Sequence, residues 1–263
     1  MIVLKTDKEI AAIRKSSRIV AQILGDLGNK IEPGITTKEL DAYAELRAKE
    51  MGAIPAFKGY RGYPASLCTS VNEEIIHGIP SSRKLQEGDI LGLDFGVICD
   101  GYYGDAAVTY PVGKANAEAI RLIEAAEKAF FEGFAKIQEG NRISDISHAI
   151  QKSVEAEGFS VIRAFVGHGI GMSLHEEPQI PNFGPPGRGP KIRKGLVIAI
   201  EPMIAAGDWN VEIKDDNWTA MTKDRSMSSH YEHTVALTVQ GAEILSMRED
   251  ENLPYATKES PYA

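Results

Sequence analysis

The chain has 263 residues, of which 43% are hydrophobic and 25% are charged, proportions that are ordinary for a water-soluble globular protein. Its net charge of -8 argues against a nucleic-acid partner held by a broad positive field, and no apolar run approaches the roughly 20 residues of a membrane-spanning helix. The N-terminal stretch MIVLKTDKEI lacks the apolar core of a signal peptide, and only two cysteines occur, Cys68 and Cys99. So few thiols are typical of a reducing compartment, and we expect a cytoplasmic protein, although one disulfide remains allowed.

Two helices are predicted near the start of the chain. Thr6 and Glu9 have the spacing of a capping box. The apolar residues that follow mark one helical face: Ile10, Ile13, Val20, Leu24 and Leu27. The stretch IEPGITTKELDAYAELRAKEMGA then predicts a second helix, with Thr36 or Thr37 as the N-cap and Gly52 as the stop signal.

The same arrangement returns later in the chain. A strong helix is predicted from Asn116, in NAEAIRLIEAAEKAFFEGFAKI, and IQEGNRISDISHAIQKSVEAEGFS predicts another, with Ser144 as its cap candidate. Gly140 lies 106 residues after Gly34, and other positions of the two stretches correspond at the same offset. This indicates a duplicated unit of about 106 residues, with chance similarity between two capped helices as the alternative.

Acidic residues interrupt the apolar runs that follow each helix pair. The run LGLDFGVICDGYYGDAAV contains Asp94 and Asp105, on either side of an Asp100-Gly101 hairpin turn. A two-residue loop would pair Asp94 with Ala107, so that Asp94 and Asp105 would share a face about 7–8 Å apart at Cα. Buried carboxylates at that separation repel each other unless a cation lies between them.

The second half offers two matching acids. Glu201 stands in the apolar run GLVIAIEPMI, close to the position that the offset of 106 predicts from Asp94. Glu232 enters the β-rich run SHYEHTVALTV as the counterpart of Asp105, although the longer connection leaves its register open. Two acids at matching places in both halves indicate one shared site.

Histidines supply further candidates. His168, in VGHGIGMSLHEEP, has glycines on both sides that leave its imidazole accessible, which favours a ligand or catalytic role. For His175 and His77 the local sequence fits a catalytic role and an ordinary loop role equally. His148 lies in a predicted helix and needs no special role, and His233 is a candidate to orient a metal ligand from behind.

Four carboxylates and one imidazole suit divalent ions such as Mn, Fe, Co or Zn. Four acids are more than one ion needs, so we expect two ions. Two metals about 3.5–4 Å apart can share a water and generate hydroxide near neutral pH, which predicts hydrolysis. The sequence contains neither a GxSxG nucleophile elbow nor a phosphate-binding P-loop.

These motifs resemble those of the methionine aminopeptidase family. The matching residues are Asp94, Asp105, His168 in GHGIG, Glu201 in EPM and Glu232 in YEHT. The stretches SVNEEIIHGIP, GHGIGMSLHEEPQIPNFG and WTAMTKDRSMSSHYEHT resemble the bacterial type I members, and the similarity extends over roughly residues 5 to 247. The resemblance implies the α+β pita-bread (creatinase/aminopeptidase) fold, in which two pseudo-symmetric α/β halves surround an antiparallel sheet and a dinuclear metal site.

The resemblance also implies a role for each metal-site residue. Asp94 would bind one metal ion, His168 and Glu201 would bind the other, and Asp105 and Glu232 would bridge both. Glu201 would also act as general base toward the bridging water. The implied reaction is removal of the initiator methionine from nascent proteins whose second residue is small, by a hydroxide that bridges two divalent ions.

Substrate contacts are implied in the same way. His175 would polarise the scissile carbonyl or steady the tetrahedral intermediate, and His77 would contact the substrate near the scissile amide. The remaining pocket for the methionine side chain would consist of Tyr60, Tyr63, Cys68 and Trp218, although such aromatic residues also occur as plain core. Phe57 stands where the family often has a cysteine and Leu174 where it often has an aromatic residue, which leaves the detailed selectivity open.

The expected organisation is one catalytic domain, residues 1–250, with halves of about 1–112 and 113–250 and a polar C-terminal tail at 251–263. Two alternatives remain: an Xaa-Pro peptidase of the same fold, or a pita-bread binding protein that has lost its metals. Xaa-Pro peptidases usually carry a large extra N-terminal domain, whereas the helices here begin within ten residues of Met1. The expected partners are the N-termini of nascent polypeptides, with ribosome association open. We expect a monomer without a membrane or nucleic-acid partner.

Overall fold

A computed structural model describes residues 1–249 and 251 of the chain. In this part the α-helices are Asp7–Gly28 (α1), Thr37–Glu50 (α2), Ala117–Phe134 (α3) and Ile143–Ala156 (α4), and a 3₁₀ turn spans Tyr60–Gly62. Over the same residues, every helix is too short or too polar to cross a membrane.

The helix starts follow the predicted capping signals with one exception. The carboxylate of Glu9 accepts a hydrogen bond from the Thr6 N–H at 2.8 Å, and Thr36 caps α2 in the same way. Ser144 is not the cap of α4, because the helix already begins at Ile143. The carboxylate of Asp145 reaches back to the Arg142 N–H at 2.7 Å and closes this end of the helix, while the Ser144 hydroxyl accepts from the Arg188 N–H.

The strands of the first half are Ile54–Pro55 (β1), Cys68–Val71 (β2), Glu74–Ile76 (β3), Ile90–Cys99 (β4) and Tyr102–Pro111 (β5). Those of the second half are Ser160–Val161 (β6), Val166–Gly169 (β7), Glu176–Pro181 (β8), Val197–Ile200 (β9), Met203–Ala205 (β10), Val211–Ile213 (β11), Ala220–Thr222 (β12), Ser228–His230 (β13), Glu232–Thr238 (β14) and Gly241–Ile244 (β15). The long hairpin β4–β5 and the pair β9–β14 are the elements that carry the acids.

The largest sheet has nine strands in the order β1-β4-β5-β14-β9-β7-β8, with β2 added along β4 and β15 along β14. Its strand pairs are antiparallel. The pair β5–β14 joins the two halves at the middle, where Ala107 lies opposite Glu232. Two three-stranded sheets, β13-β10-β6 and β11-β12-β3, complete the structure.

The two halves repeat each other in their backbone hydrogen bonds. The Gly34 N–H donates to the Leu85 carbonyl at 2.8 Å, and the Gly140 N–H donates to the Ile192 carbonyl at 3.1 Å. Isolated bridges Thr36–Lys84 and Arg142–Lys191 follow at corresponding positions. Each half therefore folds as two helices followed by strands, and the chain has the expected α+β pita-bread architecture of two pseudo-symmetric halves.

The faces of the central sheet differ in chemistry. Along β4, Leu93 and Phe95 lie in the main hydrophobic core together with Val20 and Leu24 of α1. Because successive side chains of a strand alternate in direction, Asp94 points to the opposite face. The main core and the Asp94 carboxylate therefore lie on opposite faces of β4.

The predicted boundary between the halves falls in the connection between β5 and α3, and as a boundary it stays a prediction. Residues 252–263 of the predicted tail lie outside the described residues. Glu251, the first residue of that predicted tail, has a buried side chain that pairs with Arg248.

Candidate metal centre and substrate cavity

The hairpin β4–β5 has the predicted register. Cys99 pairs with Tyr102 and Asp94 pairs with Ala107, so Asp94 and Asp105 share one face of the sheet. Gly96 lies directly opposite Asp105, and a Cβ at this glycine would come within 3.2 Å of the Asp105 carboxylate and 2.9 Å of the Phe57 ring. The glycine therefore makes room for the acid and for the wall beside it.

The second half brings three more donors to the same face. Glu232 begins β14 opposite Ala107, which is also the partner of Asp94. Glu201 follows the last residue of β9, and His168 on β7 pairs with Ala199 of β9. The register of Glu232, which could not be derived from the sequence, thus follows from the pairing of β14 with both β5 and β9.

The donor atoms converge. Nε2 of His168 lies 3.6 Å from Oε1 of Glu201 and 4.0 Å from Oδ2 of Asp105. Asp105, His168 and Glu232 each offer one ligand atom within 4.8 Å of the others, and all three residues are buried. The structure therefore brings together the five residues that the sequence singled out.

Several of these polar atoms are buried without a hydrogen-bond partner in the described part of the chain: Oδ1 of Asp94, Oδ1 of Asp105 and Oε1 of Glu232. Burying acids without compensation is costly, and binding to a metal ion is one of the few arrangements that offsets the cost. Carboxylate oxygens and an imidazole nitrogen are the donor set that Mn, Fe, Co and Zn accept. The cluster fits divalent metal ions.

Burial raises the pKa of all four carboxyl groups, and it raises that of Asp94 to about 7. The negative charge of Asp94 further raises the pKa of Asp105 and of Glu201. Without a cation these acids therefore resist sharing the site as anions, whereas a bound cation would favour their charged forms.

The imidazole of His168 is oriented as a ligand. Because a carbonyl only accepts, Nδ1 of His168 donates to the Gly169 carbonyl at 2.9 Å, which leaves the lone pair of Nε2 toward the acids. Burial lowers the pKa of His168 to about 3, so the ring is neutral near pH 7. A neutral imidazole is the form that binds metals.

A cavity of about 160 Å³ lies over this cluster. The predicted substrate-contact residues all line it: Tyr60, Tyr63, Cys68, His77, His175 and Trp218. Phe57 and Leu174, the two residues that differ from those frequent in the family, line it as well. The Tyr63 and Trp218 rings meet edge to face with centroids 5.2 Å apart. Aromatic walls over a polar floor are typical of a small-molecule or side-chain binding site.

Two histidines stand at the cavity wall. Nδ1 of His175 is hydrogen-bonded to the Tyr60 hydroxyl at 2.8 Å, and its ring lies 4.3 Å from that of His168. Burial, with a smaller contribution from the charge of Arg61, lowers the pKa of His175 to about 4. Burial likewise lowers the pKa of His77 to about 4.

His230 was not among the site residues predicted from the sequence. Its buried Nε2 lies 3.9 Å from carboxylate oxygens of both Glu201 and Glu232 and has no hydrogen-bond partner within the described residues. The spacing of two residues from Glu232 could have indicated a shared face. His233 is hydrogen-bonded to Ser246, Tyr231 and Glu251 on the other side of β14. None of these three is one of the five donors, so these contacts do not orient a metal ligand from behind as predicted.

Comparison with known proteins agrees with a metal-binding site of this kind. Residues 11–239 match the model of metallopeptidase family M24. A methionine aminopeptidase 1 of Bacillus subtilis is 50% identical over 246 residues, which cover 94% of this chain and 99% of that protein. A methionine aminopeptidase of Clostridium acetobutylicum is also 50% identical, over 95% of this chain and 100% of that protein.

Solved structures agree. The crystal structure of a methionine aminopeptidase from Thermotoga maritima superposes with a TM-score of 0.92 at 45% identity, covering 94% of this chain and 100% of that one. A prolidase from Pyrococcus furiosus superposes with a TM-score of 0.74 at 24% identity, and only 66% of its chain is covered, so this likeness shows the fold alone. The chain therefore belongs to metallopeptidase family M24 and, within it, to the methionine aminopeptidases.

Proposed function

We propose that this protein is a metal-dependent aminopeptidase that removes the N-terminal methionine from polypeptides whose second residue is small. The observation that supports it most is the buried donor cluster of Asp105, His168 and Glu232 under an aromatic cavity. Membership of the methionine aminopeptidases supports the same activity.

In this proposal two divalent ions, of Co, Mn, Fe or Zn, are held by the cluster. Asp94 would hold one ion, His168 and Glu201 would hold the other, and Asp105 and Glu232 would contribute to both. The unpartnered carboxylate oxygens of Asp94, Asp105 and Glu232 support this assignment. Bound divalent ions supply Lewis acidity and lower the pKa of water at the site.

The remaining steps are proposed for side chains of the chain itself. Glu201 takes the proton of the attacking water, since its carboxylate stands at the floor of the cavity beside His168. His175 is neutral near pH 7, because burial keeps its pKa at about 4. If the Tyr60 hydroxyl donates to Nδ1, the Nε2–H of His175 is free to donate to the scissile carbonyl oxygen as charge develops there.

The methionine side chain is proposed to lie against Tyr63, Trp218 and Cys68, with His77 at the edge of this wall and near the scissile amide. The His77 and Trp218 rings are 6.2 Å apart and meet edge to face, which leaves an apolar surface for a thioether. Phe57 and Leu174 add bulk to the same cavity and are expected to restrict how the methionine side chain sits.

The proposed substrates are the N-termini of nascent polypeptides in the cytoplasm. The protein is proposed to act on them as a monomer, in association with the ribosome.

Peptide hydrolysis across a series of divalent ions tests this function. Under anaerobic conditions, we expect cleavage of Met-Gly-Met after addition of Mn, Co, Fe or Zn, and no cleavage of Ala-Pro peptides. Cleavage of Ala-Pro peptides alone would establish an Xaa-Pro peptidase instead. A protein that purifies without metal and stays inactive with every ion would be a binding protein of this fold.

A further inference from the structure

Arg61 is the one lysine or arginine among the described residues that line the site cavity. The side chain is exposed, whereas the acids of the cluster lie on the cavity floor. Its guanidinium carbon lies 5.4 Å from the centre of the Tyr60 ring, and the Tyr60 hydroxyl is hydrogen-bonded to His175. A positive charge therefore stands at the cavity entrance, one side chain away from His175.

This charge is not neutralised by any of the described residues. Over residues 1–249 and 251, Arg61 has no carboxylate within ion-pair distance, whereas Lys58, three positions earlier, pairs with Glu45 at 2.7 Å. Exposed arginines often lack partners, so the lack of an ion pair does not by itself indicate a function. What distinguishes Arg61 is that its charge, unpaired among the described residues, lines the cavity over the donor cluster.

The backbone holds Arg61 in this position. Its φ of 49° lies in the left-handed region, which residues with a side chain adopt uncommonly. Hydrogen bonds on both sides fix the turn: the Tyr60 N–H donates to the Phe57 carbonyl at 2.9 Å, and the Tyr63 N–H donates to the Tyr60 carbonyl at 3.0 Å. The start of the Arg61 side chain is thus set by a short, bonded turn.

We propose that Arg61 selects among peptide substrates by the charge of their third residue. The inference rests on the proposed function, in which methionine fills the inner cavity and the second residue is small. The third residue is then the first whose side chain can reach the entrance. An aspartate or glutamate there pairs with the Arg61 guanidinium, and a lysine or arginine is repelled.

The expected preference is modest, because the pair is exposed to solvent. Ion pairs of this kind change an equilibrium by roughly 1.4- to 5-fold, so we expect kcat/KM for an aspartate peptide to exceed that for a lysine peptide by about 5-fold, since repulsion adds to attraction. The preference should fall toward one in 1 M salt, where the Debye length is about 3 Å.

The test uses amidated peptides Met-Gly-Asp-Ala, Met-Gly-Gln-Ala and Met-Gly-Lys-Ala, so that no terminal carboxylate competes. Each protein is characterised by the ratio of its kcat/KM values, with the glutamine peptide as an internal reference. Arg61→Gln should bring the aspartate-to-lysine ratio close to one, and Arg61→Glu should invert it. Lys58→Gln is the matched control, because it removes a cation from the same loop that does not line the cavity.

An unchanged ratio in Arg61→Gln, or an equal change in Lys58→Gln, would overturn the inference. If the Arg61 variants do not fold, the salt dependence of the wild-type ratio decides, and a ratio of one at low salt overturns it as well. Failure of the proposed function looks different, because then none of the three peptides is cleaved after addition of any divalent ion.

Discussion

A buried acid lies on each face of β14, and the two acids differ in their hydrogen-bond and charge partners. On one face, Glu232 has a side chain only 3% exposed, and its Oε1 has no hydrogen-bond partner within the described residues. On the other face, Glu251 is 5% exposed, but its carboxylate accepts from the Tyr231 hydroxyl and lies 3.2 Å from Nε2 of His233. Arg248 pairs with the same carboxylate.

The two acids differ in pKa although the side chains of both are buried. Burial and the charges of Asp105, Glu201 and Asp94 raise the pKa of Glu232. Burial acts in the same direction on Glu251, but His233 and Arg248 outweigh it and hold that pKa at about 2. Partners therefore decide the state of a buried acid, and the acids of the cavity floor need a partner beyond the described residues.

Replacing Glu232 by glutamine should have the largest effect on activity. Hydrolysis should fall below about 1% of the wild-type rate, because the variant loses a carboxylate shared between the proposed ions. Stability should not fall in metal-free buffer, since the lost oxygen has no partner in the described chain. Urea unfolding with and without Mn measures this: about 2.7 kcal/mol of stabilisation is expected in the wild type at 100 times the Kd, and much less in the variant.

Asp105→Asn is the matched variant for this experiment, because Oδ1 of Asp105 is also buried without a partner. The two variants should behave alike. If Glu232→Gln kept the full stabilisation by Mn, Glu232 would not be a metal ligand. If it lost several kcal/mol of stability in metal-free buffer, the carboxylate would be satisfied within the protein, and the contrast between the faces would disappear.

Replacing His175 by alanine separates catalysis from ion binding on the cavity face. Turnover should fall by about 10²–10³-fold, since a donor to the developing oxyanion is lost. Stabilisation by Mn should remain, because His175 is not one of the metal donors. Its ring only packs against that of His168. Tyr60→Phe is the control, since it removes the hydroxyl on Nδ1 but keeps the imidazole. Near-normal turnover in His175→Ala would remove the proposed role.

Local signals in the sequence predicted part of the site. Asp100-Gly101 fixes the turn of the β4–β5 hairpin, and the register of Asp94 and Asp105 follows from it by counting residues. Capping pairs such as Thr6 and Glu9 likewise act within one turn of helix. These features depend on neighbours in sequence, so a single sequence is enough to place them.

Features that depend on distant contacts could not be placed in the same way. The position of Glu232 depends on β14 pairing with β5, more than 120 residues away. His230 lines the cavity although it ends β13, and Tyr231 separates it from β14, which begins at Glu232. Glu251 belonged to a predicted polar tail, and its burial depends on Arg248, Tyr231 and His233 meeting behind the site. In each case tertiary packing decided the position.

Replacing Glu251 by glutamine should have the smallest effect on hydrolysis. The change should affect only the face of β14 opposite Glu232. We expect a loss of about 3 kcal/mol in the free energy of unfolding at pH 7, because the charged carboxylate that His233 and Arg248 stabilise is removed. Stabilisation by Mn should be retained, since the change lies on the other side of β14 from Glu232. Urea unfolding at several pH values measures both effects.

The pH dependence of this loss tests its cause. Because the folded-state pKa of Glu251 is held at about 2, below the ordinary 4.5, its stabilisation is complete above about pH 4.5 and is lost as the pH falls toward 2. The difference between wild type and Glu251→Gln should therefore shrink over that interval. Lys15→Gln is the control, because its pair with Asp100 is exposed to solvent and should contribute little to stability. A difference for Glu251→Gln as small as that of Lys15→Gln at pH 7, or one that does not change between pH 4.5 and 2, would mean that the charge of Glu251 does not stabilise this face.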